Sequence, residues 1–353
     1  MTLSSSANIP ATQKAVVGPD YELEIDSTFP VPTLKPGQVL VKLTHSGVCH
    51  SDISSVAKFW GDHHSICSVP GHEGVGRVVA VHDSVISPPA IGTKVGVALL
   101  AGPCLTCDIC LREDDGELRC PNNPGFHGTH VDGSYQQYIA LSAHYLITLP
   151  EDIEDSLVAP VLCGGVTSLR ALKVSGARPG EDVAIVGAGG GLGLYAIQYA
   201  QALGLNVIGI DGDNKREVIE SLGAHFIDFR TKDAVSAVKK LTVGGHGVRA
   251  VIVLAGTDYA TALSFLRTQG ILVIVGLPKP DVVINANPMM LVDTGIRITG
   301  SFVGTRRDVA EAVEFVRQGK VKSKVEVRSP EKIMDIFREV EHGKVAGRIV
   351  LEL

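Results

Sequence analysis

Hydrophobic and polar positions divide the chain into three stretches. The first, to about residue 160, carries short apolar segments broken by Gly and Pro, such as residues 39–43, 76–81 and 94–98. Runs this short between turn residues predict an irregular, partly closed β domain with few helices. From about 161 to 300 the rhythm becomes strand, helix, strand, with apolar runs at 183–186, 207–210, 250–254, 271–275 and 296–299. After Gly191, residues Leu192, Ala196, Tyr199 and Leu203 recur at the spacing of one helical face. This alternation predicts an α/β fold with a doubly wound parallel sheet and crossover helices on both faces. The remainder predicts helices at 309–318 and 331–342 and a final strand at 348–353, returning to the first domain. The expected organisation is a β-rich domain over 1–160, completed by 305–353, and a doubly wound domain over 161–304.

Length agrees with two domains: 353 residues at roughly 150 per domain leave room for two cores. The 39 glycines are more than average usage supplies, so many tight turns are expected. A net charge of −6 without a basic run leaves no electrostatic footprint for a nucleic-acid partner. The longest apolar runs are strand-sized, far short of the ~20 residues a spanning helix needs, so no membrane partner is expected. The start, MTLSSSANIP, lacks the basic and apolar regions of a secretory signal, and a cytoplasmic protein is the expectation.

Cysteine spacing supplies the first chemistry. Cys104, Cys107 and Cys110 are spaced C-x2-C-x2-C, and Cys120 follows nine residues later in a polar loop. Tetrahedral zinc takes four thiolates at about 2.3 Å, and a tight chain reversal brings them together where the short spacings forbid simple disulfide pairing. With four protein ligands the site has no open position and is expected to be structural.

Cys49, His72 and Cys163 are far apart in sequence, and each alone reads as a buried thiol or a core histidine. Their settings are GVCHSD, PGHEGVG and APVLCGG. With the cysteine loop, VDGSYQQY, VAIVGAGGGLG, VIGIDG, GSFVGTRRD and AGRIVLEL, in order, the chain resembles the zinc-dependent medium-chain alcohol dehydrogenases of the yeast and filamentous-fungal type along nearly its whole length. The resemblance implies a GroES-like catalytic domain beside a Rossmann domain. It implies that Cys49, His72 and Cys163 bind a catalytic zinc, alcohol dehydrogenase being the type example of this ligand set. By the same resemblance Glu73 is a carboxylate that can swing onto the metal, and two zincs per chain are expected. Asp52 reads either as the carboxylate that orients His72 or as a turn cap.

For the coenzyme, Gly187, Gly190 and Gly193 follow the 183–186 strand and open the helix at Leu192, with further glycines at Gly189 and Gly191. Backbone amides there suit a pyrophosphate. Asp211 ends the second strand 18 residues after Gly193, where an acid accepts from ribose hydroxyls and repels a 2′-phosphate, favouring NAD over NADP. Lys215 and Arg216 nearby suit either a coenzyme contact or the first turn of a helix. The resemblance adds His50 and Arg348 as pyrophosphate contacts and Thr167 as a nicotinamide neighbour. Read without it, His50 is an exposed loop histidine and Arg348 a surface residue at a strand edge.

In the resembling enzymes the alcohol proton passes to a hydroxyl two residues after the first zinc cysteine, then to a histidine three residues further on. Here those catalytic positions, beside His50, are Ser51 and Ser54, so the proton is expected to leave through Ser54 and water, or through another base. Trp60 reads as a pocket wall or as core. Leu99 stands five residues before Cys104, where the small-alcohol fungal enzymes carry tryptophan, and Leu277 follows the 271–275 strand. A smaller wall at Leu99 implies a substrate bulkier than ethanol. His63, His64 and Cys67 are expected to take no part. The implied activity is reversible hydride transfer between NAD and a primary or secondary alcohol, or its aldehyde or ketone, in a homotetramer or homodimer. An aldehyde reductase of a specialised pathway and a non-catalytic nucleotide-binding relative are the alternatives.

Overall fold

The structure is a computed structural model that describes residues 4–5, 9–18, 21–59, 67–112, 115–230, 233–256, 258–278 and 281–353. Trp60, His63 and His64 lie outside the described residues. The chain forms two compact units, one comprising Met1–Cys163, Thr305–Arg317 and Ser323–Leu353, the other Gly164–Gly304 and Gln318–Lys322.

The first unit is built on an eight-stranded sheet. Its central strand, Gln38–Gly47, is long enough to pair antiparallel with Gly74–Val81, Tyr138–Ser142 and Arg348–Glu352. Along it Val39, Val41 and Leu43 alternate into a core shared with Val78, Val95 and Leu141. Helix α1 (His50–Val56) follows this strand directly, and its Ile53 and Val56 pack against Ile333, Ile336 and Phe337 of the helix Ile333–Glu341. Val48 N also donates to Ile349 O at 2.9 Å, so the turn that carries Cys49 is clamped by chain from far along the sequence.

The second unit is a six-stranded sheet of β1 (Asp182–Val186), β2 (Asn206–Asp211), β3 (His225–Asp228), β4 (Val248–Val253), β5 (Leu266–Ile274) and β6 (Arg297–Gly300). Their spatial order is 3-2-1-4-5-6 and every pairing is parallel, the doubly wound Rossmann arrangement. β1 and β4 are buried along nearly their whole length, which is why they read as continuous apolar runs. Helix α2 (Gly164–Ser175) packs on helix α3 (Gly191–Ala202), and Ser168 Oγ lies 2.8 Å from the Leu192 carbonyl oxygen.

Three local expectations need correction. The strand β3 is absent from the apolar runs because it is a four-residue edge strand with one buried side chain, Phe226. The buried face of α3 is wider than the predicted stripe, taking in Leu194, Tyr195 and Ile197, because sheet and α2 cover different sides of it. Leu192 is only half-buried. Finally, β5 begins at Leu266, and its polar residues Arg267, Thr268 and Gln269 hid that start. Among the described residues no single helix is long and apolar enough to cross a membrane.

Candidate active site

Cys49 is the extended residue, φ −121° and ψ 151°, from which α1 starts. Its amide donates to Asp52 Oδ2 at 2.9 Å, the usual way a carboxylate in the first turn satisfies an orphan helix donor. The same carboxylate, 1% exposed, accepts from Tyr135 Oη at 2.7 Å and pairs through Oδ1 with His72 Nδ1 at 2.7 Å. Asp52 is therefore both helix cap and histidine orienter, and the two readings of it merge. Gly71, at φ +95°, leaves space for the Tyr135 ring, which a Cβ there would strike.

His72 Nε2 is buried without a hydrogen-bond partner among the described residues, and a ring proton held on Nδ1 by Asp52 would leave it a lone pair for a metal. It faces company: donor atoms of Cys49, His72, Glu73 and Cys163 all lie within 4.8 Å of one another. Two sulfurs, an imidazole nitrogen and a carboxylate, all buried, form a donor set that suits zinc. A hydrogen bond from Cys163 lowers the Cys49 thiol well below its ordinary value, against burial, while the same contact raises Cys163.

Glu73 is fully buried, and both its oxygens accept from Arg348 Nη2, at 2.5 and 2.7 Å. The same nitrogen lies 3.0 Å from Val48 O. Burial pushes the Glu73 carboxyl up to about 7 although Arg348 opposes it. Arg348 is thus not a surface residue. A buried carboxylate beside two thiols needs a counter-charge, and Arg348, 6% exposed, supplies it.

The second cysteine set also converges. Donor atoms of Cys104, Cys107, Cys110 and Cys120 lie within 4.8 Å of one another, and Cys104 and Cys120 sulfurs are 3.5 Å apart. That is far beyond a disulfide and close to the edge of a sulfur tetrahedron of about 2.3 Å radius. Hydrogen bonds from Asn122 and from backbone amides bring the Cys104 thiol down to about 5. The loop is pinned by Glu117, whose Oε1 accepts from Arg306 N at 2.7 Å and Tyr145 Oη at 3.1 Å. Cys67 belongs to neither set, and burial pushes its thiol up to about 12.

In the second unit Gly187 follows β1 at φ +84°, a region favouring glycine, and Gly190 caps α3. Gly193 sits on the Gly187 and Ala188 carbonyls with no room for a Cβ, and Gly189 lies against the Lys215 stem. Gly191 and Leu192 open the helix. Asp211 ends β2, its oxygens accepting from Gly189 N at 2.8 Å and Gly212 N at 2.7 Å. Thr167 on α2 is buried, and its hydroxyl lacks a partner among the described residues. This cradle, the following helix N-terminus and the acid suit a dinucleotide.

His50 is exposed, while Ser51 and Ser54 are half-buried on α1, one turn apart on one face. Leu99 is half-buried and Leu277 is 61% exposed. Sequence reasoning missed Tyr135 and the Glu73–Arg348 pair. The signal for Tyr135 was the VDGSYQQY run, whose Gly133, Ser134 and Tyr135 amides bond the Val69, Gly71 and Pro70 carbonyls beside His72.

Residues 35–151 match the family model of the alcohol dehydrogenase GroES-like domain, and residues 191–318 that of the zinc-binding dehydrogenase. Alcohol dehydrogenase 1 of Emericella nidulans is 40% identical over 330 residues, spanning 92% of this chain and 93% of its own. An alcohol dehydrogenase of Geobacillus stearothermophilus is 41% identical, over 91% of this chain and 93% of its own. Among solved structures, acetophenone reductase from Geotrichum candidum in complex with NAD superposes with a TM-score of 0.84 at 28% identity, covering 98% of this chain and 99% of that one. The alcohol dehydrogenase of Aeropyrum pernix gives 0.85 at 30% identity, over 96% and 100%. With both metal-ligand sets assembled and these relatives alike over nearly the full length, the chain belongs to the zinc-dependent medium-chain alcohol dehydrogenases, an oxidoreductase family.

Proposed function

We propose that this protein is an NAD-dependent alcohol dehydrogenase with a catalytic and a structural zinc, acting on an alcohol bulkier than ethanol. The observation that carries the reading is the buried, unpartnered Nε2 of His72 among the Cys49 and Cys163 thiols, its ring fixed by Asp52. Cys49, His72 and Cys163 would hold the catalytic metal, Glu73 is a fourth donor, a carboxylate held by Arg348, and the loop of Cys104, Cys107, Cys110 and Cys120 would hold the other ion. When bound, zinc supplies a Lewis acid that favours the deprotonated alcohol, and NAD supplies the hydride acceptor. Ser51 Oγ accepts the alcohol proton as its own hydroxyl proton moves on, through Ser54 on the same helical face, to water.

NAD, rather than NADP, is favoured by Asp211 at the end of β2, and the Geotrichum relative was solved with NAD. Lys215 packs against Gly189 instead of replacing the acid. The bulky-substrate reading rests on Leu99 in place of a larger wall, in keeping with a relative named for an aryl ketone. Strand β6 ends the sheet order beside β5, and pairing across a twofold axis there would build a dimer or tetramer. The deciding experiment is catalytic efficiency with NAD on ethanol and on cinnamyl alcohol, using zinc-replete protein. Efficiency favouring cinnamyl alcohol is expected; efficiency favouring ethanol would return the chain to the small-alcohol enzymes.

A further inference from the structure

At the end of the Rossmann sheet opposite the glycine loop, four arginines gather. Arg178 precedes β1, Arg249 and Arg267 are the second residues of β4 and β5, and Arg297 is the first of β6. These four strands are consecutive neighbours in the order 1-4-5-6, so residues scattered over more than a hundred positions meet along one edge. With Glu181 and Gln269 they line a cavity of about 460 Å³. That volume is in the range of small-molecule sites.

Glu181 is the sole acid of the lining. Its Oε1 accepts from Arg267 Nη2 at 2.5 Å, its Oε2 accepts from Arg178 N at 2.8 Å and lies 3.8 Å from Arg249 Nε. Arg249 Nη1 donates to the Gln269 carbonyl at 2.6 Å, which holds the guanidinium in place. One carboxylate against four guanidinia leaves three positive charges in excess, in a chain whose net charge is −6. The side chains of Arg178 and Arg297 have no hydrogen bond or ion pair among the described residues. Burial lowers the Arg249 guanidinium from its ordinary value, Glu181 opposes this, and Arg297, Arg267 and Arg178 add to the fall. The four charges therefore repel one another, and an anion among them relieves that repulsion. Guanidinium forks match the paired oxygens of phosphoryl groups.

We propose that this cavity is a second anion-binding site, distinct from the coenzyme loop, that takes a small polyanion of the phosphate class. The probe is inorganic pyrophosphate, added to zinc-loaded enzyme already saturated with NADH so that the glycine loop is filled, against sodium chloride at matched ionic strength. Pyrophosphate well above its dissociation constant is expected to raise the melting temperature by about 2 °C or more, and more than inorganic phosphate does. The paired change R178Q/R297Q, at exposed positions, is expected to weaken pyrophosphate binding about tenfold or more in calorimetry while turnover stays at the parent value. A melting temperature that pyrophosphate moves no further than chloride overturns the proposal. So does binding that R178Q/R297Q leaves unchanged, or a variant that alters only the sedimentation coefficient, which would assign the arginines to a contact between copies of the chain.

Discussion

Asp52→Asn tests the link between a helix cap and a metal ligand. The carboxylate takes three donors: His72 Nδ1 and Tyr135 Oη at 2.7 Å, and Cys49 N at 2.9 Å. An asparagine has one acceptor oxygen. If it faces Tyr135 and Cys49, its NH2 meets His72 Nδ1, which must then become the acceptor, and the ring proton moves to Nε2, the atom that should bind metal. If it faces His72 instead, the NH2 opposes the Cys49 amide. That leaves a buried donor unsatisfied at about 1–3 kcal/mol, because Asp52 is almost wholly inaccessible. Either orientation weakens the site, and loss of such a supporting carboxylate costs about 10–100-fold in metal affinity. The assay is metal content per chain during titration with a zinc chelator, read beside the melting temperature. One ion should leave at about 10–100-fold lower chelator concentration than in the parent. The other, in the four-cysteine loop, should leave as in the parent. A variant that holds both ions as the parent does, with an unchanged melting temperature, would refute the reasoning.

Ser51→Ala should lower turnover about 10²–10⁴-fold with metal content intact, and Ser54→His should shift the pH dependence of turnover; a pH profile identical to the parent's would remove Ser54 from the proton path. Leu99→Trp should move the ratio of efficiencies on cinnamyl alcohol and ethanol toward ethanol by about tenfold or more, and an unchanged ratio would take Leu99 out of the pocket. Cys120→Ser should remove one metal ion per chain and speed proteolysis of the 104–120 loop, whereas full metal content would show that three thiols suffice. At Asp155, burial pushes the carboxyl up, but the Lys94 ammonium at 2.7 Å and the Thr44 hydroxyl outweigh it and hold it below the ordinary aspartate value. Its stabilisation is therefore present above about pH 4, the unfolded value, and is lost as pH falls through the lower folded value. Asp155→Asn should cost up to about 3 kcal/mol at pH 7 because Lys94 is left buried without its counter-charge, keeping only the Ile153 carbonyl. The gap to the parent in urea midpoints should narrow only below about pH 4, and a gap that closes by pH 6 would contradict the assignment.

What could be read from sequence follows the range of the interactions. β1, β2 and β4 were legible because strands buried on both faces by crossover helices must be apolar throughout. The four-cysteine loop was legible because its ligands are local. β3 was not, since an edge strand with half its side chains near solvent carries little pattern. The clustering of Cys49, His72 and Cys163 was available only through family resemblance, because nothing in their spacing says that three distant turns meet. Tyr135 and the pairing of Arg348 with Glu73 went unread for the same reason. Each acts on a buried carboxylate, Asp52 or Glu73, at a separation of 83 or 275 residues. The arginine edge was invisible in sequence because it exists only once β1, β4, β5 and β6 lie side by side.

The bond from Arg348 to Glu73 also sets an order of events during synthesis. Glu73 emerges 275 residues ahead of the arginine that balances it, and at roughly 5–20 residues per second that separation is roughly 14–55 s of translation. Through this interval the nascent chain carries Cys49, His72 and Glu73 without Arg348 or the strand Arg348–Glu352 that closes the turn at Val48. The thiol of Cys49 is then open to oxidants and to competing soft metal ions that the finished pocket shuts out. The order of synthesis therefore presents the Cys49 thiol to the redox and metal conditions around the ribosome before the residues that enclose it exist.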